Sequence, residues 1–190
     1  MRYLKSNLGF IISLMLLAII AFNPNAKAFL LKALIKTGLY QPGISKSEND
    51  SDYPNAPATL FIGSNGQHLD ISRMKDKVIF LNFWATWCPP CIAEMPSINS
   101  LKARYKDNQQ MIFLMVDVDN KQNAAQSFMK KHNYDLPVFT QGSNIPESLF
   151  KGSVPTTVII DKRGKIVFKH EGMADYNSEK MQSFVDSLLK

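Results

Sequence analysis

Cysteine is scarce in this chain, with two among 190 residues. Two thiols cannot build a disulfide-dense scaffold, nor a four-cysteine zinc or iron–sulfur site. Acidic residues are absent from the first 28 positions, which carry Arg2, Lys5 and Lys27. There is no long basic run, no internal repeat and no low-complexity tract. The formal charge of +6 reflects 22 basic against 16 acidic residues; without those first three, 19 face 16, a balance of +3. Such scattered charge reads as a solvated surface and argues against a nucleic-acid partner. The longest apolar stretch also falls short of the ~20 residues of a spanning helix. What is present is core material: 45% hydrophobic and 11% aromatic residues exclude wholesale disorder.

The apolar stretch runs from Leu8 to Phe22, interrupted only by Gly9 and Ser13. Its 15 residues, behind Arg2 and Lys5, match the upper limit of a signal-peptide core. Starting at Ser6, with Lys5 snorkelling, gives 17, marginal for an anchor. Asn23-Pro24-Asn25 breaks the helix, and Ala26-Lys27-Ala28 has the small-x-small form of a cleavage site. Residues 1–28 are therefore expected to be a signal peptide, removed after Ala28, or an uncleaved anchor through residues 8–22. Both readings put the remainder outside the cytoplasm, because the positive charges stay inside. Phe29, Leu30, Leu31, Leu34, Ile35 and Leu39, with Lys32 and Lys36, form an amphipathic stretch. It could lie on a membrane surface or pack on the domain; membrane association is the favoured expectation. From Gln41 to Ala58 the composition turns to Pro, Gly, Ser, Asn and Asp, the make-up of a flexible tether. The chain thus divides into residues 1–28, 29–57 and a domain over 58–190.

The domain alternates strand and helix signals. Thr59–Ile62 and His68–Ile71 flank an Asn65-Gly66 turn and read as a hairpin. Val78–Phe83 is a run apolar but for Asn82, as in a strand buried on both faces. A helix is expected over about Pro90–Lys106, with Ile92, Met95, Ile98, Leu101 and Tyr105 on one side and Pro96 inside it. Strands at Met111–Val118, Leu136–Phe139, Val154–Ile160 and Ile166–Lys169 follow, with helices at Ala124–Lys131 and Ser178–Leu189 and a helical turn at Pro146–Phe150. This order describes an α/β fold with a central mixed sheet.

The chemistry concentrates in Cys88-Pro89-Pro90-Cys91, at a strand-to-helix junction. At the first turn of a helix, unpaired N–H groups and the helix dipole stabilise a thiolate. The thiolate is the species that attacks a disulfide. Proline at the first helical position gives up only an N–H that would be unpaired anyway. Zinc would need two more ligands, and His68, His132 and His170 show no paired spacing. Covalent haem would need His at position 92, which is Ile. A purely structural disulfide closing so short a loop would contribute little. A redox-active pair is the reading that remains, with no cofactor or metal implied.

The stretch Leu81-Asn82-Phe83-Trp84-Ala85-Thr86-Trp87-Cys88-Pro89-Pro90-Cys91 resembles the thioredoxin superfamily. Within it, the chain resembles the TlpA/ResA-type extracytoplasmic thiol–disulfide oxidoreductases over roughly residues 58–190. Glu94 and Pro96 complete that subgroup's Cys-x-x-Cys-x-x-Glu-x-Pro pattern, and Val154-Pro155-Thr156-Thr157 matches the superfamily's cis-proline loop. Residues 119–150 match the subgroup's inserted helix and strand. The resemblance implies a three-layer thioredoxin-like fold with an N-terminal hairpin and that inserted unit. It implies that Cys88 is the exposed nucleophile, that Cys91 resolves the mixed disulfide, and that Glu94 moves their protons. Trp87, Pro89, Val154, Pro155 and Thr156 would form the substrate surface, with Pro155 cis. Many cytoplasmic thioredoxins carry a buried Asp where this chain has Asn82, which cannot titrate; a proton relay would fall to Glu94 or water.

The implied function is reduction of protein disulfides in the cell envelope, on the periplasmic or extracytoplasmic side, with apocytochrome c maturation one such role. Electrons would come from a membrane thiol–disulfide donor. An oxidase or isomerase, or a tethered non-catalytic adaptor of the same fold, stands as the alternative. A peroxiredoxin would need Thr at position 85, which is Ala, and a Sco-type copper chaperone would need three residues between its cysteines.

Overall fold

The computed structural model describes residues 8–36, 41–44 and 53–190. Much of the tether expected over Gln41–Ala58, and Leu39 of the amphipathic stretch, lie outside the described residues. Helix α1 spans Leu8–Phe22 and α2 spans Pro24–Lys36. Between them Asn23 accepts the Ala26 N–H on its side-chain oxygen at 3.3 Å, which starts the second helix. At ~1.5 Å per residue α1 is shorter than a ~30 Å hydrocarbon core. No helix among the described residues is long and apolar enough to cross a membrane.

The sheet has seven strands: β1 Leu60–Gly63, β2 His68–Asp70, β3 Val78–Trp84, β4 Met111–Asp117, β5 Val138–Gln141, β6 Thr156–Ile160 and β7 Ile166–Glu171. Their spatial order is β2-β1-β5-β4-β3-β6-β7. The β3–β4 and β4–β5 pairs are parallel, and the others antiparallel. The expected hairpin is β1–β2, turned at Gly66 with φ 79°. The inserted unit supplies helix α4, Gln122–Lys131, and strand β5, which lies between β4 and the hairpin. Helix α3 spans Pro89–Arg104 and α5 spans Glu179–Leu189.

Every residue of β3 is buried, because the strand is covered on both faces. Val78, Phe80 and Trp84 point into one apolar cluster, and Ile79, Leu81 and Phe83 into the other. Parallel crossovers are right-handed, so α3 and α4, which connect β3 to β4 to β5, belong on the same face. Met95, Ile98 and Leu101 of α3, Met129 of α4 and Phe184 of α5 accordingly share the first cluster. The second face is closed by Ile71, in a 3-10 turn over Ile71–Arg73, and by Leu149, within the Pro146–Phe150 turn.

The N-terminal helices meet this frame at α3. Ala28 and Ile35 are buried, while Phe29 (76%) and Leu30 (48%) stay exposed. A groove of about 480 Å³ runs between Phe29, Lys32 and Ile35 of α2 and Ala93, Pro96 and Ser100 of α3. One face of the amphipathic stretch therefore packs on the domain. Pro54 and Ala56, read from composition as tether, add to the sheet edge. The Ile166 N–H donates to the Pro54 carbonyl and the Ala56 N–H to that of Gly164, both at 2.8 Å.

Candidate active site

The site sits where β3 ends and α3 begins. Cys88 caps α3 from an extended backbone (φ −87°, ψ 105°), and Pro89 and Pro90 fill the first two helical positions. Neither proline has an N–H, so the first free donor of the helix is Cys91. That N–H donates to the Cys88 sulfur at 3.3 Å. Cys88 and Cys91 form a disulfide with an S–S distance of 2.04 Å. The expectation of an exposed Cys88 is corrected here: Cys88 is 2% exposed and Cys91 0%. The Cys88 sulfur folds back over the first turn, and both residues join the apolar cluster of Trp84 and Met95. On reduction, the dipole and the Cys91 N–H favour negative charge on Cys88 over Cys91.

Exposure at this end belongs to Trp87, 58% accessible beside Cys88. Its indole Nε1–H donates to Asp119 Oδ2 at 2.7 Å. Asp119 follows β4, whose register sets Asp117 against Trp84, so the two loops lie side by side. Trp84 itself is fully buried, its ring 5.4 Å from that of Phe128.

Glu94 lies one turn beyond Cys91 and is completely buried. Its Oε1 accepts from Asn82 Nδ2 at 2.8 Å, and its Oε2 from the Ala174 N–H at 3.4 Å. Burial raises its pKa to about 8, although the two donors pull it back. A carboxyl with such a pKa exchanges protons in the range where thiols do.

The Val154–Pro155 peptide is cis. Strand β6 sets Thr156 against Phe83 and Thr157 against Asn82, so Pro155 lies at the end of the sheet where Cys88 sits. Val154 packs against the cluster that contains both cysteines. The Pro155 carbonyl accepts the Gly172 N–H at 2.8 Å, whereas Val154 makes no backbone hydrogen bond among the described residues. Thr156 is fully buried and donates its hydroxyl to the Ser153 carbonyl at 2.6 Å. Pro89 is partly exposed.

Sequence reasoning did not assign Asp119, Thr157 or Ala174 to the site. Each is a single residue far along the chain from Cys88, and only the folding of the strands brings it there.

Comparison with known proteins agrees with this geometry. Residues 50–185 match the Redoxin family. The chain is 32% identical over 151 residues to a thiol-disulfide oxidoreductase ResA of Bacillus cereus, covering 79% of this chain and 86% of that protein. It is 30% identical over 130 residues to ResA of Bacillus subtilis, covering 68% and 72%. Among solved structures it resembles a putative thiol:disulfide interchange protein DsbE from Chlorobium tepidum. There the TM-score is 0.62 at 25% identity, over 78% of this chain and all of that one. With the Cys88–Cys91 pair at the head of α3, these likenesses carry one conclusion: the chain belongs to the Redoxin family, as a thioredoxin-like thiol–disulfide oxidoreductase of the ResA type.

Proposed function

We propose that this oxidoreductase reduces protein disulfides on the extracytoplasmic side of the cell envelope, with Cys88 as nucleophile and Cys91 as resolving thiol. The observation that carries the reading is the Cys88–Cys91 pair at the start of α3, one turn from a buried carboxyl. In the reduced protein the Cys88 thiolate attacks one sulfur of a substrate disulfide. A mixed disulfide forms and the other substrate sulfur leaves as a thiolate. Glu94, when ionised, takes the proton of the Cys91 thiol. The Cys91 thiolate then attacks the Cys88 sulfur, closing Cys88–Cys91 and releasing the second substrate sulfur. Two electrons pass from the cysteine pair to the substrate, and a membrane thiol–disulfide donor restores them.

Trp87 and Pro89 form the exposed side of the docking surface. In this reading the Val154 backbone, without a hydrogen-bond partner among the described residues, pairs with an extended substrate segment, and Pro155 faces the sulfurs. Thr156 supports this loop from within. The apolar helix α1, flanked by basic residues and no acidic ones, supports delivery to the membrane. It acts as an uncleaved anchor through residues 8–22 or is removed after Ala28. The exposed Phe29 and Leu30 support further contact with lipid. Residues 1–28 deliver the chain, residues 29–57 join, and residues 58–190 work. Apocytochrome c before haem attachment is the first client to examine.

Trapping tests this reading. Cys91→Ser, expressed in its own envelope, accumulates mixed disulfides through Cys88, and their protein partners identify the substrate. Absence of any captured partner would count against substrate reduction.

A further inference from the structure

Glu94 is ringed by neutral groups. Asn82 reaches it from β3, and Ala174 reaches it from the segment after β7. Tyr176, on that same segment, is fully buried, and burial beside Glu94 pushes its phenol well above the usual tyrosine range, so it stays neutral. The segment is tied to α3 a second time, where the Tyr176 N–H donates to Ser97 Oγ at 3.2 Å. Glu94 makes no ion pair among the described residues.

Asn82 has a second bond. The same nitrogen donates to Thr157 Oγ1 at 2.8 Å. Its two N–H groups therefore serve two elements, the carboxyl on α3 and the hydroxyl two residues beyond Pro155. Its own oxygen Oδ1 is buried and has no hydrogen-bond partner among the described residues. A buried amide oxygen left bare is costly. The side chain is thus oriented for its donors, at the expense of its acceptor.

We propose that Asn82 is a positioning residue that links the Pro155 strand to Glu94 through Thr157. The inference rests on the proposed role of Glu94 as proton acceptor. The carboxamide aims its donors so that the ionised form of Glu94 is held while Cys91 loses its proton. Thr157 fixes the rotation of that amide. A substrate segment that shifts the Val154–Pro155 loop moves Thr157, and with it the donor on Glu94. An aspartate at position 82 would titrate against Glu94, whereas asparagine orients the carboxyl without competing for its proton.

The test is the pH profile of single-turnover resolution, in which the mixed disulfide with a small thiol probe collapses to Cys88–Cys91. The full chain shows an inflection set by Glu94. Asn82→Ala removes a donor from the carboxylate and moves the inflection to higher pH by about one unit. Thr157→Val keeps the volume but frees the amide, and moves it the same way by less. The double variant moves it no further than Asn82→Ala, because the two act on one bond. A merely structural role would lower the melting temperature and leave the inflection in place. An unmoved inflection in Thr157→Val and Asn82→Ala overturns the proposal. If Asn82→Ala does not fold, Thr157→Val decides alone. Glu94→Gln separates the two levels. An inflection that keeps its place in Glu94→Gln, instead of giving way to the alkaline rise of the unaided Cys91 thiol, removes Glu94 from the mechanism. One that disappears there, yet ignores Asn82 and Thr157, removes only the positioning role.

Discussion

The indole of Trp87 is held by Asp119, Nε1 to Oδ2 at 2.7 Å, although the ring is 58% exposed. An exposed aromatic next to a nucleophile would normally sample several rotamers. The charge-assisted bond keeps this one in place, which in the proposed docking role lowers the ordering cost of substrate binding. Asp119→Ala therefore weakens protein-substrate binding rather than chemistry. KM for a protein disulfide rises about 3–10-fold, the effect of one lost hydrogen bond of ~1 kcal/mol, while kcat changes little. Steady-state kinetics and the Trp87 fluorescence maximum check this. A fall in kcat at constant KM would contradict it.

Glu94 makes the oxidised protein sensitive to pH in a definite direction. Its carboxyl titrates at about 8 in the fold, against 4.5 for the free group. Between those values the folded state holds more protons than the unfolded chain, so stability falls as pH rises and levels off above about pH 8. At ~1.4 kcal/mol per unit, the loss is at most several kcal/mol. Urea unfolding at intervals from pH 5 to 9 measures it. Glu94→Gln, neutral throughout, flattens this slope, and an unchanged slope would contradict the assignment.

In the proposed mechanism the same titration sets the rate. At pH 7 roughly a tenth of a carboxyl with that pKa is ionised, so resolution by Cys91 accelerates toward pH 8. Glu94→Gln loses about 100-fold at pH 7, the low end of what one acid–base group contributes. Alkaline pH narrows the gap as the Cys91 thiol ionises unaided. Stopped-flow mixing with a model disulfide reads both effects.

Much of this was legible in the sequence, and the limits have physical causes. The Val78–Phe83 run, apolar except for Asn82, could be read as a central strand, because burial on both faces leaves no polar alternation. Cys88 and Cys91 could be read because their chemistry depends on adjacent residues. The Pro155 loop was legible only through its motif, since a proline before a strand looks the same cis or trans. Asp119 and Thr157 gave no local signal of their partners: one reaches Trp87 through the β3–β4 register, the other sits opposite Asn82 through β3–β6. Pro54–Ala56 read as tether because edge pairing uses backbone atoms, which composition does not report.

The N-terminal helices carry their own prediction. The full chain co-floats with lipid vesicles, and N-terminal sequencing of protein from the envelope reads Met1 for an anchor or Phe29 for cleavage. Leu14→Glu with Leu17→Glu, at exposed positions of α1, abolishes flotation of the anchored form and leaves disulfide reduction in solution unchanged. Retained flotation would locate the lipid contact elsewhere.

The proposed role of Cys88 is to transfer electrons to protein disulfides. Insulin reduction with excess dithiol donor tests it most directly, comparing the chain with Cys88→Ser. Clear acceleration by the chain and the uncatalysed rate for Cys88→Ser are expected; equal rates for the two proteins would contradict the role of Cys88.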